Sequence, residues 1–261
     1  PRNQDSTLME PQFVLRKMAS RLDPASFARY FLGIDPDYKQ CQVLRSESPQ
    51  LMLNCSRQWG KSTVSSILAL HKAYFEPKSL VLVVSPTLRQ SGELIRKIIG
   101  YLPALGIRKK GDGVNTLSVE LSNGSRIVGL PGRDGTIRGF SGTSLLIIDE
   151  ASQVADSLYR SVRPFLAASK HGRMVIMSTP YGTRGFFWEE WERGDGWERV
   201  ETPANECPRF DPEFLEREHK SMGESWFKQE YLCQFLENEN TFLPRAWVEA
   251  AFTLEIKALS L

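Results

Sequence analysis

The chain has 261 residues, 41% of them hydrophobic and 25% charged, with a formal net charge of +2, which suits a soluble globular chain of one large domain and a small appendage. No apolar run approaches the ~20 residues of a membrane span, and no signal peptide opens the chain, which begins at Pro1 as a trimmed chain would. Cys41, Cys55, Cys207 and Cys233 lack C-x-x-C spacing, so neither a zinc ribbon nor a disulfide framework is expected, and a reducing compartment fits.

Residues 10–32 read as two short helices, the second started by Asp23 as N-cap and Pro24 at the first helical position. Asp37 caps a third helix through about Arg45, and Ser48-Pro49 turns the chain into a strand at about 51–55. A helix over 61–75 stops near Pro77. Leu80 to Ser85 is a second buried strand, and the helix from Thr87 to Gly100 returns from it. This βαβ spacing predicts a right-handed crossover and parallel pairing. Over 117–130 two alternating runs flank Asn123-Gly124, the signature of a hairpin. A glycine-rich stretch carrying Arg133 and Arg138 follows. Then come a strand from Leu145, a helix near 156–168, a strand from Met174 to Thr179 and a short aromatic helix from Phe186 to Trp191. A further strand is expected at Glu198 to Glu201. Asp211-Pro212-Glu213 starts an acidic helical pair running to about Phe235, too small for an independent core and read as a lid. His71, His171 and His219 are scattered and read as surface or packing residues.

Three strand ends carry chemistry. Behind Leu51 to Leu53, the run Cys55-Ser56-Arg57-Gln58-Trp59-Gly60-Lys61-Ser62-Thr63 has the order of a phosphate cradle: strand, tight loop, Gly-Lys-Ser, helix. Backbone N–H groups would face the phosphates, Lys61 would bridge β- and γ-oxygens, and the Ser62 hydroxyl would ligate Mg²⁺. The first glycine of the G-x-x-x-x-G-K-[ST] pattern is replaced by Cys55. The second end is Leu145-Leu146-Ile147-Ile148-Asp149-Glu150, a run suited to a strand buried on both faces that ends in two carboxylates. Asp149 suits a metal ligand and Glu150 a base that orients and deprotonates water, the arrangement of a hydrolase. The third is Met174 to Pro180, where Ser178 and Thr179 offer hydroxyls to a γ-phosphate or attacking water. An isolated Gly-Lys-Ser would carry little, but three complementary strand ends in this order are hard to obtain by accident.

Ser56 to Ser62, Thr136-Ile137-Arg138-Gly139, Ile148 to Ala151 and Ser178-Thr179-Pro180 together resemble the ATPase domain of large terminase subunits, the DNA-packaging motors of tailed bacteriophages. The resemblance covers roughly residues 30–250. It implies an α/β fold of the RecA-like, ASCE-type P-loop class: a mainly parallel central sheet flanked by helices, with a small helical C-terminal lid. The division it suggests is an ATPase core with an N-terminal adenine-side segment over 1–200, and over 201–261 a lid and the start of a linker. Gln40, in Pro36 to Gln40, would contact adenine, although a helix-surface glutamine is an equal reading. Ser56 to Thr63 would hold the nucleotide, and Ser62 and Asp149 the Mg²⁺. Arg57 could touch the γ-phosphate in cis, Arg138 could act as an arginine finger to a neighbouring subunit, and Ser178 to Pro180 would couple hydrolysis to movement.

The implied activity is ATP hydrolysis coupled to translocation of double-stranded DNA into a procapsid in the host cytoplasm, by a ring of copies, with a portal protein and a small terminase subunit as partners. An isolated domain could be a monomer. The nuclease domain usual in full-length relatives would begin about where this chain stops, so nuclease activity is not expected in it. The charge gradient favours a polyanion on the first part: residues 1–110 carry 17 Lys/Arg against 8 Asp/Glu, and residues 111–261 carry 16 against 23. Arg108-Lys109-Lys110 is one candidate grip on DNA, or simply a solvated loop. The alternatives are a superfamily 1 or 2 helicase-like translocase, which needs a second RecA-like domain, and an ATP-dependent switch without turnover, against which Glu150 argues.

Overall fold

A computed structural model of the chain describes residues 11–107, 117–132 and 139–237, together with residue 251. Seven strands form one sheet: β1 (Gln50–Cys55), β2 (Leu80–Ser85), β3 (Ser118–Glu120), β4 (Arg126–Pro131), β5 (Leu145–Asp149), β6 (Arg173–Ser178) and β7 (Glu198–Thr202). Their order across the sheet is β3-β4-β2-β5-β6-β1-β7. All pairings are parallel except β3 with β4, the hairpin that Asn123-Gly124 turns, where Gly124 takes φ 80°.

The apolar runs explain the layers. In β1 and β2 alternate residues point to opposite faces, and both faces are covered, which is why these strands show no polar alternation. On one face Leu51, Leu53, Val81 and Val83 pack under α4 (Lys61–Phe75) and α5 (Leu88–Tyr101), with α2 (Pro24–Leu32) and α3 (Tyr38–Arg45) outside them. On the other, Met52, Leu82, Val84 and Ile148 pack under α6 (Asp156–Val162) and α7 (Gly185–Arg193). The helix α1 (Pro11–Leu22) lies outermost and keeps Leu15, Met18 and Leu22 exposed. Among the described residues no helix is long and apolar enough to cross a membrane.

The C-terminal pair, α8 (Pro212–Met222) and α9 (Glu224–Leu232), shares a small cluster of Phe227, Tyr231 and Ala204 with Phe210 and Phe214. β7 belongs to the main sheet through its ladder with β1 and crosses residue 200, so the sheet ends at Thr202. The register sets the site: Asn54 lies beside Ser178, and Asp149 beside Met177. The carboxyl ends of β1, β6 and β5 are therefore adjacent, in that order.

Candidate active site

The loop after β1 is shaped by two residues with positive φ, Gln58 (57°) and Gly60 (104°). Gly60 is required here. Besides its φ, a Cβ at this position would lie 2.7 Å from the Gln40 amide nitrogen. Cys55 needs no such freedom, because it is still in the extended ladder, opposite Thr202. That explains how the chain dispenses with the first glycine of the motif. The Cys55 thiol is fully buried, and burial pushes it up to about 12, so it is inert packing.

Gly60 also ends the loop as the N-cap of α4, and it offers no side-chain cap. Asp23, Asp37, Thr87 and Asp211 cap α2, α3, α5 and α8 with side-chain acceptors. The 15-residue helix that starts at Lys61 is left uncapped, and its first N–H groups and the positive end of its dipole face the cleft. Not every loop N–H serves this purpose: Arg57 N donates to Glu230 O at 2.8 Å and Trp59 N to Ser56 O at 3.4 Å.

Lys61 joins the three strand ends. Its side chain is 9% exposed; Nζ donates to Thr179 Oγ1 at 3.0 Å and lies 3.6 Å from Glu150 Oε1. Glu150 is a non-glycine residue in the left-handed region, at φ 50° and ψ 46°, a conformation that costs about 1 kcal/mol or more and turns its half-buried carboxylate off the strand end. Asp149 is buried, and its Oδ1 has no hydrogen-bond partner. Burial first, and then the Glu150 charge, raise its carboxyl to about 6 against the opposing pull of Lys61. An orphaned buried carboxylate oxygen at one strand end and a serine hydroxyl at an uncapped helix start are the donor types that suit a small hard cation keeping waters and phosphate oxygens as its other ligands. Ser62 is exposed on the cleft wall, as that set requires. Ser178 faces elsewhere: its hydroxyl accepts from Ser152 N at 3.1 Å and lies 2.8 Å from Ser152 Oγ, tying the segment after Glu150 to β6.

A cleft of about 420 Å³ is lined by Arg57, Gln58, Gly60, Lys61, Ser62, Glu150 and Thr179, so most of the expected site residues converge on it. Arg57 is 60% exposed, 3.7 Å from Glu230 of α9. Among the described residues five expected ones do not line it: Asp149, Thr63, whose hydroxyl accepts from Lys97, and three whose contacts differ from expectation. The Trp59 ring is 1% exposed and anchors the loop in the core, leaving only its backbone near the site. Ser56 is fully buried with its hydroxyl unpartnered. Gln40 is buried and both ends of its amide are engaged: Oε1 accepts from Asp37 N at 3.2 Å in a capping box, and Nε2 donates to Trp59 O at 3.1 Å. In this structure its amide bolts α3 to the loop. Arg138, Thr136, Ile137 and Arg108 to Lys110 lie outside the described residues.

Sequence reasoning missed two residues. Arg209, just ahead of α8, donates to Asp37 Oδ2 and to Trp59 O, a second bolt on the same carbonyl. Lys97 of α5 lines the cleft and donates to Thr63 Oγ1 at 2.6 Å. Neither stands in a motif, and both contacts cross more than thirty positions.

The sheet order, the uncapped helix after β1 and the carboxylates after β5 define a RecA-like P-loop nucleotide-binding fold. A family model described as "Terminase large subunit, T4likevirus-type, N-terminal" matches residues 52–250, and the chain belongs to that family. The chain is 27% identical over 218 residues to the terminase large subunit of Escherichia phage T5, covering 78% of this chain and 48% of that protein. It thus spans about half the length of the curated relatives it matches. The large terminase ATPase domain of Thermus phage P74-26 superposes with a TM-score of 0.73 at 21% identity, over 83% of this chain and all of that one. The large terminase of a thermophilic bacteriophage, solved in complex with ADP, gives 0.63 at 12% identity, over 77% and 54%.

Proposed function

We propose that the cleft binds ATP with Mg²⁺ and hydrolyses it, and that hydrolysis drives double-stranded DNA into a viral procapsid in the host cytoplasm. The observation that carries the reading is the position of Lys61, whose ammonium touches the Thr179 hydroxyl and faces the Glu150 carboxylate at one uncapped helix start. Family membership and the large terminase solved with ADP support it.

The residues divide the work. The first N–H groups of α4 and the Lys61 ammonium hold the β- and γ-phosphates, Lys61 exchanging Thr179 and Glu150 for phosphate oxygens. Glu150 takes the proton of the attacking water, and its left-handed backbone fixes the direction from which it does so. Thr179 stays beside the γ-phosphate and senses its departure. Ser62 and Asp149 would hold Mg²⁺, whose charge neutralises the phosphate oxygens as charge develops on them. Arg57 supplies cis charge once it leaves Glu230. Arg138 supplying charge from a neighbouring copy rests on the resemblance alone, as do the ring, the portal and small-subunit partners and the grip on DNA, which would weaken steeply with salt.

Phosphate release measured against protein concentration, for the wild type and Lys61→Ala, tests the reading. The expected result is turnover lost by at least about a hundredfold in Lys61→Ala, and a superlinear rise for the wild type as copies complete one another's sites. Unaltered turnover in Lys61→Ala would remove the phosphate-loop assignment. A strictly linear rise would remove the trans finger and leave Arg57.

A further inference from the structure

Among the described residues three cations line the cleft: Arg57, Lys61 and Lys97. Two have carboxylates within ion-pair reach, Glu230 at 3.7 Å from Arg57 and Glu150 at 3.6 Å from Lys61. Among the described residues Lys97 has no such carboxylate; its Nζ donates to the neutral Thr63 hydroxyl at 2.6 Å. Thr63 lies in the first turn of α4, where the helix dipole is positive and no side chain caps it. The Lys97 ammonium therefore stands near the positive end of the helix, and its partial burial lowers its proton affinity. A half-buried ammonium beside a helix N-terminus, with no carboxylate within ion-pair reach among the described residues, is a local cost. A polyanion in the same cleft removes it.

We propose that Lys97 is a third cationic contact for the phosphate chain of the nucleotide, reaching it from the α5 side while Lys61 reaches it from the loop. This rests on the cleft being a nucleoside triphosphate site. Thr63 is where the ammonium sits when no phosphate is present, and the four-carbon stem of a lysine lets it exchange the hydroxyl for a phosphate oxygen. A purely structural tie between α5 and α4 makes the opposite demand, since removing it would loosen the empty protein.

The test uses Lys97→Met, which keeps the stem and removes the charge, and Lys97→Arg, which keeps the charge. Thermal unfolding is followed without nucleotide, and ATPγS with Mg²⁺ is titrated at a temperature where each protein is folded. Lys97→Met is expected to unfold at the wild-type temperature or above it without nucleotide, yet to bind ATPγS about tenfold more weakly, the size of one charge-assisted contact. Lys97→Arg should recover most of that affinity. Wild-type affinity in Lys97→Met would overturn the proposal, assigning the ammonium to a structural tie or to another anion such as a partner's carboxylate. If the wild type and Lys61→Ala both fail to bind ATPγS, the nucleotide reading itself falls and takes this one with it.

Discussion

The two sides of the phosphate loop are held in opposite ways. On the side of α3 and the C-terminal helices, polar groups are satisfied by distant parts of the chain. The Trp59 carbonyl takes both Gln40 and Arg209, Arg57 N donates to Glu230 O, Gly182 N donates to Gln229 Oε1 at 3.3 Å, and Asn54 Nδ2 donates to Cys233 O at 2.7 Å. On the side of β5 and α4, groups are left wanting. Among the described residues the helix has no side-chain cap, Asp149 Oδ1 is buried and unpartnered, Glu150 is in a left-handed conformation, and Lys97 has only a hydroxyl. The first side is a frame tied by long-range bonds, although Ser56 Oγ, Asn54 Oδ1 and Thr202 Oγ1 are buried in it without partners among the described residues. On the second the wanting groups are charged or belong to the helix dipole, so the charge of a bound ligand would cancel them.

Asp149→Asn should break this comparison most visibly. The carboxyl is raised from its ordinary value of 3.8 to about 6, chiefly by burial. Below about pH 3 it is protonated in both folded and unfolded chains. Between about 4 and 6 only the unfolded chain ionises, so this group's contribution to stability is lost as pH rises through the folded value. Nucleotide-free Asp149→Asn is therefore expected to be more stable than the wild type by about 3 kcal/mol at pH 7, with the difference vanishing near pH 3. Urea unfolding at the two pH values checks this. A variant less stable at pH 7 would mean that the carboxylate is already compensated in the empty protein.

Arg209→Ala sharpens the other side. Removing the second bolt should lower stability by about 1 kcal/mol, since the arginine is partly exposed, and should raise KM for ATP several-fold with kcat nearly unchanged. A fall in kcat at constant KM would move Arg209 from the frame to the chemistry.

How much of this was legible in the sequence follows the same division. The reactive side is written in contiguous residues: Gly60-Lys61-Ser62, Asp149-Glu150 and Ser178-Thr179 each stand at the end of an apolar run, and parallel pairing brings the three ends together. The hairpin at Asn123-Gly124 and the caps at Asp23, Asp37 and Asp211 were legible for the same local reason. The frame is written in pairs far apart in the chain. Nothing around Arg209 distinguishes it from a surface arginine, and its contact with Asp37 spans 172 positions. Lys97 sits between the buried Ile95 and Ile98, where a charged residue at the edge of an apolar helix face is the ordinary pattern. Gln40 shows how a motif-like residue can be taken by local structure: its place three residues after Asp37 makes a capping box, and that box, with Trp59, occupies its amide. Cys55 departs from the motif without cost because it ends the strand, as the expected strand at about 51–55 already allowed.

The proposed hydrolysis depends above all on Glu150 acting on water beside a nucleotide gripped by Lys61. The most direct test is single-turnover phosphate release by the wild type and Glu150→Gln, with ATPγS affinity measured on the same preparations. Release is expected to be slowed at least about a hundredfold in Glu150→Gln while affinity stays within a few-fold of the wild type. Equal release rates at equal affinity would contradict that role.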